Sequence, residues 1–209
     1  MTHPLWRPYE KPSADAITVG RVDASDEARW RRRVVVSPYS PDWPDHYERV
    51  AEAVRAALGA RVVSIDHVGS TSVPGLAAKP VIDVDLLVVD SAEEDAYVAD
   101  LERAGFVLVI REPDWEEHRA FSFDDPRANL HVFSSGSVEA RRHLALREWL
   151  RTHEADRHAY GALKQDLADE GFTDVMLYNN GKSGFIYDLY ERIFAADPEH
   201  GHASHPRTA

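Results

Sequence analysis

The 209-residue sequence contains no cysteine, which excludes a disulfide framework and any thiol chemistry. It also lacks an apolar run of about 18 residues, the length that a membrane-spanning helix requires, and its first residues do not resemble a secretory signal. A cytoplasmic protein without a membrane partner is therefore expected. Positive charge is scarce too, because 24 lysines and arginines face 36 acidic residues, for a net charge of −12. Such a surface repels nucleic acid, although a local basic pocket for one nucleotide is compatible with it.

The composition is that of a soluble domain, with 29% charged and 44% hydrophobic residues, enough to form one core. We predict an arm over residues 1–33, one domain over 34–196 and a disordered polar tail over 197–209. The arm ends in a basic run at residues 29–33. This run is interpreted as a solvated linker, or else as a contact for an anionic ligand or for a second subunit, which would make the protein a homodimer.

Residues 65–89 are the most informative stretch of the chain. They predict a strand, a tight glycine turn and a second strand rich in β-branched residues. The second strand carries Asp83 and Asp85 within its apolar run. Because side chains alternate along a strand, two residues at this spacing project from the same face.

Two carboxylates on one face repel each other, and burying both without a partner is costly. A hard divalent cation removes that cost, and Mg²⁺, or Mn²⁺ in its place, prefers oxygen ligands and bridges them to phosphates. The alternative is an edge strand whose polar face is solvated. The apolar residues on both sides of Asp85 favour a buried strand, with a metal held by Asp83 and Asp85.

The turn between the two strands offers the complementary groups. Gly69 and Ser70 are small enough for a phosphate to approach their backbone N–H groups, and Thr71 and Ser72 add hydroxyl donors. A Gly-Ser pair alone usually marks no more than a turn. The prediction of a phosphate site therefore depends on its combination with the acidic pair about a dozen residues later.

This combination resembles the signature of the polymerase-β-like nucleotidyltransferase superfamily. The fuller string over residues 67–85, H-V-G-S-T-S-V-P-G-L-A-A-K-P-V-I-D-V-D, closely resembles the GrpB family, a branch of that superfamily. The similarity extends from about Val34 to about Ala196 and includes N-L-H-V-F and Y-N-N-G-K-S-G-F-I.

The resemblance implies an α/β (α+β) fold, a nucleotidyltransferase-like mixed sheet flanked by helices with a helical C-terminal subregion. It also implies Mg²⁺-dependent transfer of a nucleoside monophosphate from a nucleoside triphosphate, with ATP expected, to a small-molecule acceptor. Asp83 and Asp85 would then be catalytic as well as metal-binding.

In this superfamily a third carboxylate usually comes from a later strand, but here that strand carries His131. A histidine brings no negative charge and suits Mg²⁺ poorly, so this sequence departs from the usual two-metal arrangement. His131 is therefore a candidate catalytic residue that deprotonates or orients the acceptor. The remaining alternative is that it only pairs with Asp83.

Phosphoryl chemistry also requires positive charge opposite the metal-bound oxygens. Most of the candidates lie in the helical second half of the sequence: Lys79, Arg147, Arg151, Lys164 and Lys182. The alternative for each is an ordinary surface ion pair. Gly181 and Gly184 flank Lys182 within a predicted helix, where glycine is unfavourable, so they predict a close approach of the backbone to a ligand or to another helix.

Two other functions are compatible with the same fold. One is a non-catalytic module that binds a nucleotide or metabolite, which the missing third acid favours. The other is a nucleotide-dependent ligase or hydrolase.

Overall fold

The structure, a computed structural model, describes residues 1–10, 20–23, 30–31 and 33–207. It confirms the predicted fold class, since a five-stranded mixed sheet is flanked by helices on both faces. The strands are β1 (Ser64–Val68), β2 (Ile82–Val88), β3 (Val107–Glu112), β4 (His118–Asp124) and β5 (Arg127–Ser134). The helices are α1 (Trp43–Leu58), α2 (Val98–Arg103), α3 (Val138–Thr152), α4 (Glu154–Asp169) and α5 (Val175–Ala196).

The strand order β1-β2-β5-β4-β3 places β2 inside the sheet rather than at its edge. β2 runs antiparallel to β1 and parallel to β5, and the other two pairings are antiparallel. The alternative of a solvated edge strand for the acidic pair is therefore wrong. Both acids lie on a strand that is hydrogen-bonded on its two sides.

One face of the sheet is apolar. Val84 and Leu86 of β2 and Leu130 and Val132 of β5 are all fully buried there. They pack with the buried side chains of α1 and α2 and form the main hydrophobic core. The helical spacing of the apolar residues of α1 explains why this helix can cover the face.

The opposite face is polar. In the strand register Asp83 lies beside Asn129, and Asp85 lies between Asp66 and His131, so these five side chains project to the same side. The helices α3, α4 and α5 cover this side and supply the cationic and histidine side chains described below. A sheet with one apolar and one polar face thus positions the candidate site.

The predicted polar tail contacts the rest of the chain. Residues 197–207 lie against the first residues of the chain and the last helix. Arg207 forms a two-pronged ion pair with Asp188, at 2.8 and 2.7 Å. His3 Nε2 lies 3.0 Å from Asp197 Oδ2. These contacts join positions that are far apart in sequence, so the local composition of the tail did not reveal them.

In the described part of the chain no helix is long and apolar enough to cross a bilayer. The basic run at residues 29–33 lies partly outside the described residues. Of the part that is described, Trp30 and Arg33 line a cavity that is discussed below.

Candidate functional site

The two acids of β2 have different surroundings. Asp83 Oδ1 accepts a hydrogen bond of 2.8 Å from the Asn129 side chain. Asp85 is only 2% exposed, and its Oδ2 pairs with His143 Nδ1 at 2.8 Å. Its second oxygen, Oδ1, is buried and has no hydrogen-bond partner among the described residues. An unpartnered carboxylate oxygen in the interior is costly, which is consistent with an oxygen that receives a cation.

Gly69 lies directly against Asp83. It has a φ of +66°, and a Cβ atom added there would come within 2.5 Å of Asp83 Oδ2. Both the backbone conformation and this contact require glycine. The sequence prediction that the glycine turn and the acidic pair meet therefore agrees with the geometry.

The hydroxyl groups after Gly69 are mostly engaged within the turn, a short 3-10 segment over Ser70–Ser72. Thr71 Oγ1 lies 3.0 Å from His67 Nε2, and the Ser72 hydroxyl donates to the Gly69 carbonyl at 2.6 Å. The predicted contact of these two hydroxyls with a phosphate would require those bonds to open. Ser70 instead interacts with the Tyr160 hydroxyl of α4.

Three of the predicted cations converge near Asp83. The Lys79 and Lys182 ammonium groups lie over the Tyr178 ring, at 5.1 and 4.6 Å from its centroid. Lys164 is 2% exposed, and its Nζ has no hydrogen-bond partner among the described side chains and backbone. Its nearest aromatic contact is the Tyr160 ring, with Nζ 4.5 Å from the centroid. Lysine is rarely buried without an anionic partner, so this group is the strongest sign of a missing anion.

Burial and mutual repulsion destabilise the charged forms of these lysines. Burial, then Lys182, lowers the pKa of Lys164 to about 6, although Asp83 opposes the shift. Burial, then Lys79, lowers the pKa of Lys182 to about 7. The pKa of Lys79 is also lowered, again mainly by burial. A bound polyanion would reverse these shifts because it supplies the counter-charge that one carboxylate cannot.

The two arginines do not join this group. Arg147 Nη1 donates to the His67 carbonyl at 2.8 Å, and Arg151 donates twice to the Ser72 carbonyl, at 3.1 and 2.8 Å. Both therefore hold the strand end and the turn from α3. The predicted clamp is divided into a lysine group near Asp83 and an arginine pair that supports the turn.

His131 does not form the predicted pair with Asp83, whose Oδ1 bonds Asn129 instead. His131 Nδ1 lies 3.0 Å from His118 Nε2, and His118 Nδ1 lies 2.7 Å from Glu112 Oε2. Burial, then the neighbouring His118, lowers the pKa of His131 to about 4. The ring is therefore neutral at neutral pH.

Sequence reasoning missed His143. It lies on α3. Burial alone would lower the pKa of this ring, but the charge of Asp85 and its hydrogen bond to the ring, together with the charge of Glu139, outweigh burial. The pKa of His143 therefore rises to about 9. His143 is therefore the cation that compensates one oxygen of Asp85. The only signal was its place at the start of a helix, four residues before Arg147 and four after Glu139, on the same helical face.

Two cavities border this region. The larger, about 340 Å³, lies at the edge strand on the side of His67, Arg147 and Arg151. The smaller, about 220 Å³, is lined by Lys79 and Asn129, by apolar residues that include Val34 and Val81, and by charged ones that include Arg127. The smaller cavity is the more relevant one, because Asn129 connects it directly to Asp83.

The glycines beside Lys182 are explained by packing. A Cβ on Gly181 would lie 2.9 Å from Leu167 Cδ2 of α4, and one on Gly184 would collide with Arg207 of the tail. The predicted close approach to another helix is thus found at Gly181, whereas Gly184 lies against the tail, which was not predicted.

Two further groups of potential metal ligands lie at the chain ends: His3, Asp197 and His200, and Glu191, His202 and His205. His3 Nδ1 accepts the Leu5 N–H at 3.0 Å, and His202 Nδ1 accepts the His3 N–H at 3.2 Å. Neutral rings with an accepting Nδ1 carry their proton on Nε2, and both Nε2 atoms face a carboxylate. Hydrogen bonds therefore account for the shortest contacts in both groups.

Comparison with known proteins agrees with this architecture. A UPF0157 protein of Halalkalibacterium halodurans is 43% identical over 179 residues, which cover 86% of this chain and 89% of that protein. A UPF0157 protein of Streptomyces coelicolor is 35% identical over 161 residues, covering 77% of this chain and 84% of that one. A dephospho-CoA kinase of Mycolicibacterium paratuberculosis is 28% identical over 190 residues, or 78% of this chain, but the match spans only 47% of that protein.

Among solved structures, the crystal structure of conserved protein GrpB from Enterococcus faecalis superimposes with a TM-score of 0.68 at 31% identity. The match covers 76% of this chain and 96% of that one. The family model described as GrpB protein matches residues 33–192, which include the whole sheet and most of α5. The chain therefore belongs to the GrpB family.

Proposed function

We propose that this protein is a Mg²⁺-dependent nucleotidyltransferase that moves a nucleoside monophosphate from a nucleoside triphosphate to a small-molecule acceptor. One observation carries the proposal: an acidic pair on a single sheet face, in contact with a glycine turn, lies close to three poorly compensated lysines. Cation-binding and anion-binding groups side by side are what a metal-bound triphosphate requires.

The residues present fit a hard cation. Asp85 Oδ1 is buried without a hydrogen-bond partner among the described residues, and Asp83 Oδ2 lies beside Gly69, which has no side chain to block it. Two carboxylates suffice for Mg²⁺, which commonly keeps several waters and binds substrate phosphates directly. When bound, such an ion would neutralise developing charge on the transferred phosphoryl group.

The lysine group fits the phosphates. Lys164, Lys182 and Lys79 are each electrostatically coupled to Asp83, so they lie on the side of the acidic pair where a triphosphate would extend. Protonated on binding, they would balance the charge that builds up on the leaving pyrophosphate. The cavity beside Asn129 and Lys79 has walls that combine apolar side chains such as Val34 and Val81 with the charged Arg33 and Arg127, and such a lining suits the base or sugar of the nucleotide.

His131 fits the acceptor side. It is neutral, it lies beside Asp85 in the strand register, and its Nε2 makes no hydrogen bond to any described residue. We assign it the role of accepting a hydrogen bond from the acceptor hydroxyl. This orients the attacking oxygen without adding charge.

The match to dephospho-CoA kinases does not change the proposal. The sequence contains one Gly-Lys-Ser, at residues 181–183, and it lies inside α5. Met176 occupies the position of the first glycine of a phosphate-binding loop. The matched stretch thus lacks the loop that such a kinase mechanism would use.

Binding is tested first, by thermal shift with each of the four common nucleoside triphosphates, with and without Mg²⁺ or Mn²⁺. A metal-dependent rise in melting temperature is expected for wild type and for the exposed control Asp95→Asn. Asp83→Asn should lose the metal dependence. An equal rise in Asp83→Asn and wild type would overturn the proposed role of the acidic pair.

Transfer is tested with a triphosphate labelled at the α-phosphate and a panel of small hydroxyl and amino compounds. Label on an acceptor together with released pyrophosphate supports the proposal, and Asp83→Asn should reduce this turnover by roughly 100-fold or more. Metal-dependent binding without label transfer would replace it with the non-catalytic module. Free phosphate or an acyl-adenylate as product would replace it with hydrolysis or ligation.

A further inference from the structure

Three side chains form a hydrogen-bonded row across β3, β4 and β5. Glu112 of β3 lies 2.7 Å from His118 Nδ1, and His118 Nε2 lies 3.0 Å from His131 Nδ1. His118 is 4% exposed, and its ring stacks on those of His131 and Phe133 at 5.2 and 4.8 Å between centroids. The row leads from a partly exposed carboxylate to the histidine beside the acidic pair.

The order of donors and acceptors in this row is determined at its outer end. The Glu112 carboxylate only accepts hydrogen bonds, so His118 Nδ1 must donate. In a neutral ring His118 Nε2 is then an acceptor, and the proton between the two rings belongs to His131 Nδ1. We propose that Glu112 and His118 are positioning residues that fix His131 in its Nδ1–H tautomer, so that an unprotonated Nε2 is presented to the face that carries Asp83 and Asp85.

This fixation changes what His131 can do. The Nε2–H form predominates for a free histidine in water, and it would present a donor instead of a lone pair. A lone pair accepts a hydrogen bond from the hydroxyl of an acceptor, whereas an N–H would orient that hydroxyl the wrong way round. The role toward the acceptor rests on the proposed function, but the tautomer does not.

Aromatic rings around His118 stabilise the hydrogen-bonded row. His118 is shielded from water by its stacked neighbours and by Trp115, whose ring lies edge-on at 5.2 Å. Little solvent is therefore available to replace either hydrogen bond of the row. A carboxylate that fixes a histidine through its second nitrogen is a common means of setting a ring for its task.

The test is long-range ¹H–¹⁵N NMR of histidine side chains at pH 8, which reports whether each ring nitrogen carries a proton. The His131 signals are assigned by their loss in His131→Gln. Three variants are compared with wild type. His118→Phe keeps a stacked ring without nitrogens, Glu112→Gln keeps the shape of the side chain without its charge, and Asp114→Asn alters an exposed acid two residues further along.

Wild type and Asp114→Asn should show a protonated Nδ1 and an unprotonated Nε2 at His131. His118→Phe should convert His131 mainly to the Nε2–H form. Glu112→Gln should give a mixture, because an amide can either accept from His118 or donate to it. If a transfer assay is established, His118→Phe should lower kcat more than it raises KM for the nucleotide.

An Nε2–H or doubly protonated His131 in wild type would overturn the proposal, as would the same tautomer in all four proteins. The tautomer and the proposed function can fail separately. The expected NMR pattern without nucleotide transfer would retain the positioning row and remove only its role toward an acceptor. Transfer by a wild type whose His131 carries its proton on Nε2 would retain the function and remove the row.

Discussion

The two faces of the central sheet differ in how their side chains are satisfied. On the apolar face Leu86 and its neighbours are fully buried against α1 and α2, and packing accounts for each of them. On the polar face Asp85 Oδ1 and Lys164 Nζ are buried without a hydrogen-bond partner among the residues that the structure describes. One face is thus complete in the folded chain, whereas the other contains buried polar atoms without a hydrogen-bond partner, which our proposal assigns to a ligand. The unsatisfied face is therefore where function is expected, because proteins tolerate such costs at sites that need them.

The largest effect on stability is expected on the complete face. Leu86→Ala removes a fully buried side chain from the centre of β2 and should lower the free energy of unfolding by about 2–5 kcal/mol. Urea denaturation measures this loss. Metal-dependent nucleotide binding should persist while the variant is folded. A loss below about 1 kcal/mol would mean that this face is not the main core.

Gly69→Ala changes the turn that contacts the acidic pair on the polar face. The added Cβ meets Asp83 Oδ2 at 2.5 Å, and alanine is strained at a φ of +66°. We expect a destabilisation of about 1–3 kcal/mol together with loss of metal-dependent nucleotide binding. Gly136→Ala is the matched control, since it also has positive φ but no atom within 4 Å of the added Cβ. If both variants lost nucleotide binding equally, the contact between Gly69 and Asp83 would not be the cause of the loss.

On the polar face, Lys164→Met should raise the free energy of unfolding, whereas the two variants above should lower it. Methionine removes a buried amine that must lose its proton on folding at pH 7, because its native pKa is about 6, so the free energy of unfolding should rise by about 1–3 kcal/mol at this pH. Nucleotide binding should weaken at the same time. A variant that is more stable but binds less well would identify Lys164 as a functional group. Loss of stability would instead make it a structural one.

The pH dependence of stability tests the same residue. The pKa of Lys164 falls from its ordinary value of 10.5 in the unfolded chain to about 6 in the native one. Between these values the unfolded chain binds more protons, so the contribution of Lys164 to stability rises as pH increases from 6 to 10.5. Urea titrations at several pH values should show this slope in wild type and a smaller one in Lys164→Met.

Glu94 provides the comparison with an ordinary paired charge, and its effect should be the smallest. Its hydrogen bond to Arg111 is the main reason that its pKa falls to about 2, with Arg119 contributing. Here the pKa is lowered by partners, so the stabilisation is present above pH 4.5 and is lost as pH falls towards 2. Glu94→Gln should cost about 1 kcal/mol at pH 7 and almost nothing near pH 2. A constant difference across this range would rule out the ion pair as its cause.

The sequence was sufficient for the central unit of the fold. The spacing of Asp83 and Asp85 within an apolar run predicted both a buried strand and a shared face, because these depend only on the alternation of side chains. The contact with Gly69 followed from the short connection between two adjacent strands. These features depend on residues close together in the sequence, so the pattern of those residues predicts them.

The features that the sequence did not predict depend on distant contacts. His143 reaches Asp85 from a helix 58 positions later, and nothing in its own segment indicates which way its ring points. The two arginines of α3 were expected beside the lysines, but backbone carbonyls of the turn bind them instead. The tail composition indicated disorder, whereas its partners lie at the opposite end of the chain.

The most direct test is a crystal structure with Mn²⁺ and a non-hydrolysable nucleoside triphosphate, in which anomalous scattering locates the metal. We predict a Mn²⁺ peak about 2.2 Å from oxygens of both Asp83 and Asp85, with phosphate oxygens in contact with Lys164 and Lys182. A metal bound elsewhere, or a triphosphate distant from these lysines, would contradict the account.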